Sequence, residues 1–297
     1  VLNPMILQFL ASLSWGLLVT PISISLARRF RVLDEPGGRK IHSGTVPRGA
    51  GIVLWLGYLL WVLLLGGSLP WARMTAIGAT LVFLVGYVDD MKQTSPYLRL
   101  GVHLAAALIA IALLPLAPLT RALLVVWIAG CTNAYNLIDG MDGLCLSLTI
   151  STACLFCITG QLLPWFPLAG LCLGVLFWNF PLPRARTFLG DGGSTLLGFL
   201  CATQMTGSVI KGGLDPIFLL PVLVLLGGVP VFDTLMAVAR RLFRGRSPFL
   251  PDRGHLHHRL LDRSFPIPAI IVMMGAMHIV LLASGIALLK WLSRTPL

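Results

Sequence analysis

The chain has 297 residues, of which 57% are hydrophobic and only 11% charged, at a mean hydropathy of +0.89. A water-soluble domain carries roughly 25% charged residues, so a soluble enzyme is excluded, as is a disordered chain, which needs low hydrophobicity and high charge. The formal charge of +11 calls for no nucleic acid, because the cytoplasmic loops of membrane proteins collect Lys and Arg.

A bilayer core takes about 20 apolar residues per helix. Ten runs approach that length, at 5–27, 49–66, 71–88, 98–117, 119–138, 141–160, 163–180, 191–210, 216–239 and 267–291. The expected fold class is therefore an all-α polytopic integral membrane protein with about ten transmembrane helices. The alternation of a β-barrel is absent, and no repeat of 20–50 residues is visible. The first run is too long for the core of a cleavable signal and lacks a small-residue cleavage site, so no leader is expected. All six cysteines, Cys131, Cys145, Cys154, Cys157, Cys172 and Cys201, fall in apolar runs and read as small core residues. Cys154 and Cys157 form a C-x-x-C with no second pair to complete a zinc site. His103 and His278 stand singly in apolar runs and read as packed or hydrogen-bonded structural residues.

Charge sets the orientation. With the N-terminus outside, the cytoplasmic loops hold Arg28, Arg29, Arg31, Arg39, Lys40, Arg48, Lys92, Arg99, Arg184, Arg186, Arg240, Arg241, Arg244, Arg246, Arg253, Arg259 and Arg263, which is 17 of the 22 basic residues. The acids obey no such rule. Even so, Asp34, Glu35, Asp89, Asp90, Asp139, Asp142, Asp191, Asp252 and Asp262 fall on the same face. Nine of eleven acids on one face is more than anchoring needs, and it predicts a polar site at the cytoplasmic surface.

Five segments meet there. Asp34-Glu35-Pro36-Gly37-Gly38-Arg39-Lys40-Ile41-His42 leads to Arg48, whose cation suits a lipid headgroup or a phosphorylated substrate. Gly86-Tyr87-Val88-Asp89-Asp90 ends the third run, and its adjacent carboxylates need a cation or a shared proton unless both face solvent. Asn133 to Leu144 crosses from the fifth run to the sixth. Asp139 and Asp142, three apart, share a face on a helical turn. Phe188-Leu189-Gly190-Asp191-Gly192-Gly193-Ser194 opens the eighth run, where Asp191 competes as a helix cap. Arg253-Gly254-His255-Leu256-His257-His258-Arg259 reads as a cationic, donor-rich patch for phosphate, with a transition-metal site as the alternative. Oxygen donors from Asp and Asn suit Mg²⁺, with Mn²⁺ as a substitute. Asp233, inside the ninth run, is functional by default for an intramembrane acid, or else pairs with Arg240 or Arg241. Carboxylates for a divalent metal and cations for phosphate suit phosphoryl transfer between a charged cytosolic donor and a lipid acceptor.

In this order, the segments from Asp34 to Arg259 resemble the polyprenyl-phosphate N-acetylhexosamine-1-phosphate transferases. Within that family the chain is similar to bacterial undecaprenyl-phosphate N-acetylglucosamine-1-phosphate transferases, and more distantly to phospho-N-acetylmuramoyl-pentapeptide translocase. The resemblance implies one membrane-embedded transferase domain over 1–297, in the bacterial inner membrane, with its active site facing the cytoplasm. It implies transfer of an N-acetylhexosamine 1-phosphate, GlcNAc-1-phosphate first among them, from a UDP-N-acetylhexosamine to undecaprenyl phosphate. UMP is released, Mg²⁺ is required, and the product opens the synthesis of a cell-envelope polysaccharide. Homodimers occur in the family. By position, Asp191 and Asn136 match metal ligands, and Asp89 and Asp90 match a pair that engages or deprotonates the lipid phosphate. Phe188 matches an aromatic stacking on uracil, Asp142 a residue reading the uracil edge, and Arg99, His255, His257 and His258 groups around the phosphates or sugar. Two positions depart from the family pattern: Gln93 replaces a common third acid, and Arg99 a common Lys. A secondary transporter of a nucleotide sugar or other anion is the rival class, but it would place substrate groups near the midplane and show repeated halves.

Overall fold

The computed structural model describes residues 3–35, 44–66, 70–161, 164–180, 184–245, 247 and 254–294. The basic loop expectation at Arg39, Lys40 and His42, and that at Arg253, lie outside the described residues. The helices are α1 (Pro4–Arg29), α2 (Ala50–Trp61), α3 (Pro70–Met91), α4 (Pro96–Ala110), α5 (Pro118–Ile138), α6 (Leu144–Ile158), α7 (Trp165–Asn179), α8 (Gly190–Lys211), α9 (Pro216–Leu226), α10 (Gly228–Phe243), α11 (Leu256–Leu261) and α12 (Ile267–Leu292). A π-helical turn, Val62–Gly66, extends α2, and two short strands, β1 (Leu33–Asp34) and β2 (Val46–Pro47), pair antiparallel.

Every apolar run holds a helix. Four of them, Pro4–Arg29, Trp71–Met91, Pro118–Ile138 and Ile267–Leu292, are long and apolar enough to cross a membrane. Shorter apolar helices fill the runs of α2, α4, α6 and α7. Large side chains such as Leu18 and Ile158 stay exposed on the flanks, as lipid-facing surfaces do. The chain is an all-α membrane protein. Prolines open α1, α4, α5, α9 and α12, where the missing N–H is one that a helix start leaves unpaired anyway. Just past the end of α4, the Arg121 guanidinium donates to the carbonyls of Ile111 and Leu114, at 3.3 and 2.9 Å.

α8 forms the axis of the bundle. Residues 192–202 are all buried, packed between α3, α5 and α2. Small residues at its start let neighbouring backbones close in, as in membrane helix packing generally. The core around it takes in Phe83, Tyr135, Phe156, Trp165 and Phe199. Four cysteines are buried in this core and Cys157, half-buried on α6, packs against it, but Cys154 is exposed, so the expectation of a core position fails for Cys154. Cys154 sits on the outward-facing side of α6, in line with the exposed Ile158.

The ninth run departs from expectation. Instead of one helix over 216–239, α9 and α10 meet at 105°. Hydropathy does not register the cause, which is conformational. Gly228 has φ 56°, a left-handed value that costs other residues energy, and a Cβ there would collide with the ring of His278. His278 Nδ1 accepts the N–H of Val229 at 3.1 Å, a donor that the break leaves outside the helical ladder. That fixes the ring proton on Nε2, which donates to Thr152 Oγ1 at 2.8 Å, while the Thr152 hydroxyl donates to the Leu148 carbonyl at 3.0 Å. His278 is thus the hydrogen-bonded structural residue it was expected to be, and it latches the break.

Candidate active site

The ends of α1, α3, α5 and α7 and the starts of α2, α4, α6 and α8 meet at one end of the bundle. Side chains stitch them together. Asn179 at the end of α7 accepts from Gly143 N–H at 3.0 Å and donates to the Thr187 carbonyl at 2.8 Å. Thr187 Oγ1 accepts from Gly49 N–H at 3.2 Å and donates to the Pro47 carbonyl at 3.0 Å. Phe188 N–H donates to the same carbonyl at 2.9 Å, and Arg48 bridges Phe188 in parallel. The loop carrying Arg48 is thereby welded to the segment carrying Phe188 and Asp191.

The two adjacent acids at the end of α3 divide their work. Asp90 turns inward, its side chain only 3% exposed. Its Oδ1 accepts the N–H of Asp191 at 2.9 Å and its Oδ2 that of Gly192 at 3.2 Å, so it caps the start of α8 from outside the helix. The N-cap position itself, Leu189, has no side-chain donor or acceptor to offer. The capping use weighed for Asp191 thus falls to Asp90. Arg48 holds Asp90 in place, donating to its carboxylate at 2.8 Å and to its carbonyl at 3.2 Å, with a second arm on the buried Asp34.

Asp89 faces the other way. Its Oδ1 accepts from the Thr94 backbone N–H and hydroxyl, both at 2.6 Å, and its Oδ2 meets Arg99 Nη1. The same guanidinium nitrogen donates to Asp191 Oδ2 at 2.9 Å. One positive nitrogen therefore bridges carboxylates from α3 and α8. Asp191 Oδ2 also accepts from Asn136 Nδ2 at 3.1 Å, while Asn136 Oδ1 lies 3.0 Å from Ser194 Oγ.

Asp139 and Asp142 lie in the turn between α5 and α6, both half-buried. Burial pushes the Asp139 carboxyl well above the usual carboxylate range, and the negative Asp191, Asp90 and Asp142 push it further. Over this turn lies the histidine segment. A Cβ on Gly140 would stand 2.5 Å from His257 Nε2, so only glycine lets the ring approach. His257 is fully buried and neither ring nitrogen has a protein partner. Burial, then the neighbouring His258 and His255, push its pKa down to about 3. The expected cationic patch is corrected at this position: His257 is neutral at physiological pH, because charging it would mean desolvating a cation beside two other imidazoles. Its ring lies 4.2 Å from that of His258 and 6.0 Å from that of His255.

A divalent cation is implied, and the donor set can be tested for it. Among the described residues no three His, Cys, Asp or Glu side chains form a ready-made metal cage. Mg²⁺ does not ask for one, because it takes one or two carboxylates and completes its shell with water and phosphate oxygens. Asp89 and Asp191 already share a cation, the Arg99 nitrogen standing in for it. Asn136 would need only to turn its amide, exchanging its N–H for its carbonyl oxygen towards Asp191, with Ser194 accepting on the other side. The residues fit.

Known proteins share much of this sequence. The family described as "Glycosyl transferase family 4" matches residues 72–209. A Bacillus subtilis (strain 168) protein named "Probable undecaprenyl-phosphate N-acetylglucosaminyl 1-phosphate transferase" is 32% identical over 280 residues, covering 86% of this chain and 77% of its own length. The chain belongs to the polyprenyl-phosphate N-acetylhexosamine-1-phosphate transferases. Among these transferases, the Mycolicibacterium smegmatis decaprenyl-phosphate N-acetylglucosaminephosphotransferase is 32% identical over 295 residues (80% of this chain, 70% of the relative). The Escherichia coli (strain K12) undecaprenyl-phosphate alpha-N-acetylglucosaminyl 1-phosphate transferase is 26% identical over 269 residues (81% and 72%). The family match contains Asp89, Asp90, Arg99, Asn136, Asp139, Asp142, Phe188 and Asp191, and it ends before the histidine segment.

The structure thus gathers Asp89, Arg99, Asn136 and Asp191 into one set, Asp90 and Arg48 into a second beneath it, and Asp139, Asp142 and His257 into a third around one turn. Sequence reasoning missed Thr94, Ser194 and Thr187, which orient the acids and the loop. Hydroxyl residues next to acids and glycines are too common in loops to signal this.

Proposed function

We propose that the chain transfers N-acetylglucosamine 1-phosphate from UDP-N-acetylglucosamine to undecaprenyl phosphate, releasing UMP and forming the first lipid-linked intermediate of a cell-envelope polysaccharide. The observation that carries the reading is the single cation shared by Asp89 and Asp191 at one end of an apolar bundle. The names of the relatives at 26–32% identity support the donor and acceptor classes. The chain acts as one domain over 1–297 with about ten spans, counting the short helices and the bent α9–α10 pair. Its polar end faces the cytoplasm of the bacterial inner membrane, in keeping with the concentration of Lys and Arg there. A homodimer is consistent with its apolar flanks.

In the reaction, an oxygen of the lipid phosphate attacks the β-phosphorus of the donor. A new P–O bond forms, the bond from the β-phosphorus to the bridging oxygen breaks, and its electron pair leaves on the α-phosphate as UMP. A phosphate monoester is largely dianionic at pH 7, its second pKa being about 6, so the acceptor needs no base and attacks directly. Mg²⁺, bound by Asp191 and Asn136 with Asp89 adjacent, would offset negative charge on the diphosphate. Asp89 positions the acceptor side, and Asp90 acts one step back by holding the start of α8. Arg99, once released from its carboxylates, meets the transferring phosphates. Phe188 and Asp142 face the uracil, and His255, His257 and His258 with Asp139 line the phosphate and sugar side. Positioning and charge compensation supply most of the catalysis in such transfers.

The broken α9–α10 helix is a feature that a transporter would share. The deciding experiment incubates purified protein with undecaprenyl phosphate, Mg²⁺ and a panel of UDP-sugars and measures UMP. Release with UDP-N-acetylglucosamine, abolished by chelator and by Asp191→Asn, is the expected result. Binding of UDP-sugar without any UMP would overturn the reading in favour of transport.

A further inference from the structure

The acid inside the ninth run has a partner. The bend between α9 and α10 brings Asp233 beneath the histidine segment, where its carboxylate is used on both oxygens. Oδ2 lies 2.6 Å from His255 Nδ1, and Oδ1 accepts the N–H of Leu256 at 3.0 Å. Both side chains are buried, at 5% and 6% exposure. An ionised carboxylate only accepts, so a ring nitrogen at that distance must carry the proton. His255 is thereby held with its proton on Nδ1 and its Nε2 as the remaining donor or acceptor. The Leu256 bond fixes the point where α11 begins, and with it the placement of His257 over Gly140.

We propose that Asp233 is a positioning residue for the transfer reaction, setting the tautomer and ring orientation of His255 and anchoring the histidine segment over the donor site. This rests on the reading that the segment lines the donor phosphates. It also gives the helix break a purpose. A lone carboxylate within an apolar run is costly. The Gly228 turn and the His278 latch fix the direction in which α10 leaves the break, and Asp233 on α10 meets the histidine segment. A carboxylate behind a metal-ligating histidine is a recurrent arrangement whose loss costs about ten- to a hundredfold in metal affinity or activity, and a loss of the same order is expected where the histidine meets phosphate instead.

The test uses Asp233→Asn, which preserves shape and can still accept from Leu256 N–H. Its amide nitrogen would face His255 Nδ1 as a donor and force the ring proton to Nε2. The expected result is a thermal midpoint near that of the wild type, a KM for UDP-sugar within about twofold, and kcat lower by ten- to a hundredfold. If Asp233 acts through His255, the double variant Asp233→Asn/His255→Gln is no slower than His255→Gln alone. Nitrogen NMR of histidine-labelled protein reads the tautomer without any turnover: protonated Nδ1 in the wild type, protonated Nε2 in Asp233→Asn. Wild-type kcat in Asp233→Asn, losses that multiply in the double variant, or a wild-type ring protonated on Nε2 alone would each overturn the proposal. If Asp233→Asn does not fold, the wild-type tautomer alone decides. Wild-type protein that shows the expected tautomer but no transfer would instead refute the transferase reading.

Discussion

Arg99 gives the most discriminating prediction, because its guanidinium lies between Asp89 and Asp191, where we propose that a divalent ion binds. Metal and Arg99 then compete, and removing the side chain should tighten metal binding while slowing catalysis. Hydrogen bonds to charged groups are worth about 1.5–3 kcal/mol each. Here the side chains of Arg99 and Asp191 are 25% and 34% exposed, so solvent screening reduces that figure. A net of about 1.4 kcal/mol for the pair corresponds to roughly tenfold in affinity. In Arg99→Gln without substrates, Mn²⁺ binding followed by electron paramagnetic resonance should therefore be about tenfold tighter than in the wild type. Arg99→Lys, with one compact charge and no fork, should fall between them. The same Gln variant should melt at a lower temperature without metal, since two carboxylates lose their shared cation, and recover more on adding Mg²⁺. Mn²⁺ affinity that is unchanged or weaker in Arg99→Gln would show that the guanidinium does not stand at the metal position.

Asp90→Ala should destabilise the protein by about 1–2 kcal/mol through loss of the α8 cap, read as a lower unfolding midpoint in detergent. If Asp90 is a holder rather than a reacting group, Asp90→Asn, whose carbonyl still accepts one N–H, should keep measurable turnover where Asp191→Asn keeps none. For Asp139 the folded pKa lies above the unfolded value of about 3.9, so ionising it in the folded state costs stability. That cost begins as pH rises past about 4 and grows through the folded pKa. Metal-free Asp139→Asn should therefore be more stable than the wild type at pH 8 and indistinguishable from it at pH 4 in thermal melts. Equal pH dependence in the two proteins would contradict the strained carboxylate.

Much of this molecule can be read without coordinates, and what escapes has identifiable physical causes. Each of the ten apolar runs holds a helix because burial in lipid rewards any long apolar segment that satisfies its own backbone. The acids converge because they end or begin helices whose order along the chain places those ends together. Hydropathy is blind to the break at Gly228, where a positive φ and one histidine ring outweigh an apolar run. Adjacency hides which of Asp89 and Asp90 turns inward, since that depends on where the start of α8 needs an acceptor. Charge counting mistakes His257 for a cation because protonation is decided by burial, which a short polar segment does not reveal.

The transfer moves a sugar together with its phosphate. The most direct measurement uses UDP-N-acetylglucosamine labelled at the β-phosphorus, with undecaprenyl phosphate and Mg²⁺, and follows the label into the lipid extract. Labelled lipid and UMP should form in equal amounts, with neither formed by Asp191→Asn. Label that remains in the aqueous phase as UDP while the sugar reaches the lipid would mean glycosyl transfer without phosphate, and would contradict the proposed transfer.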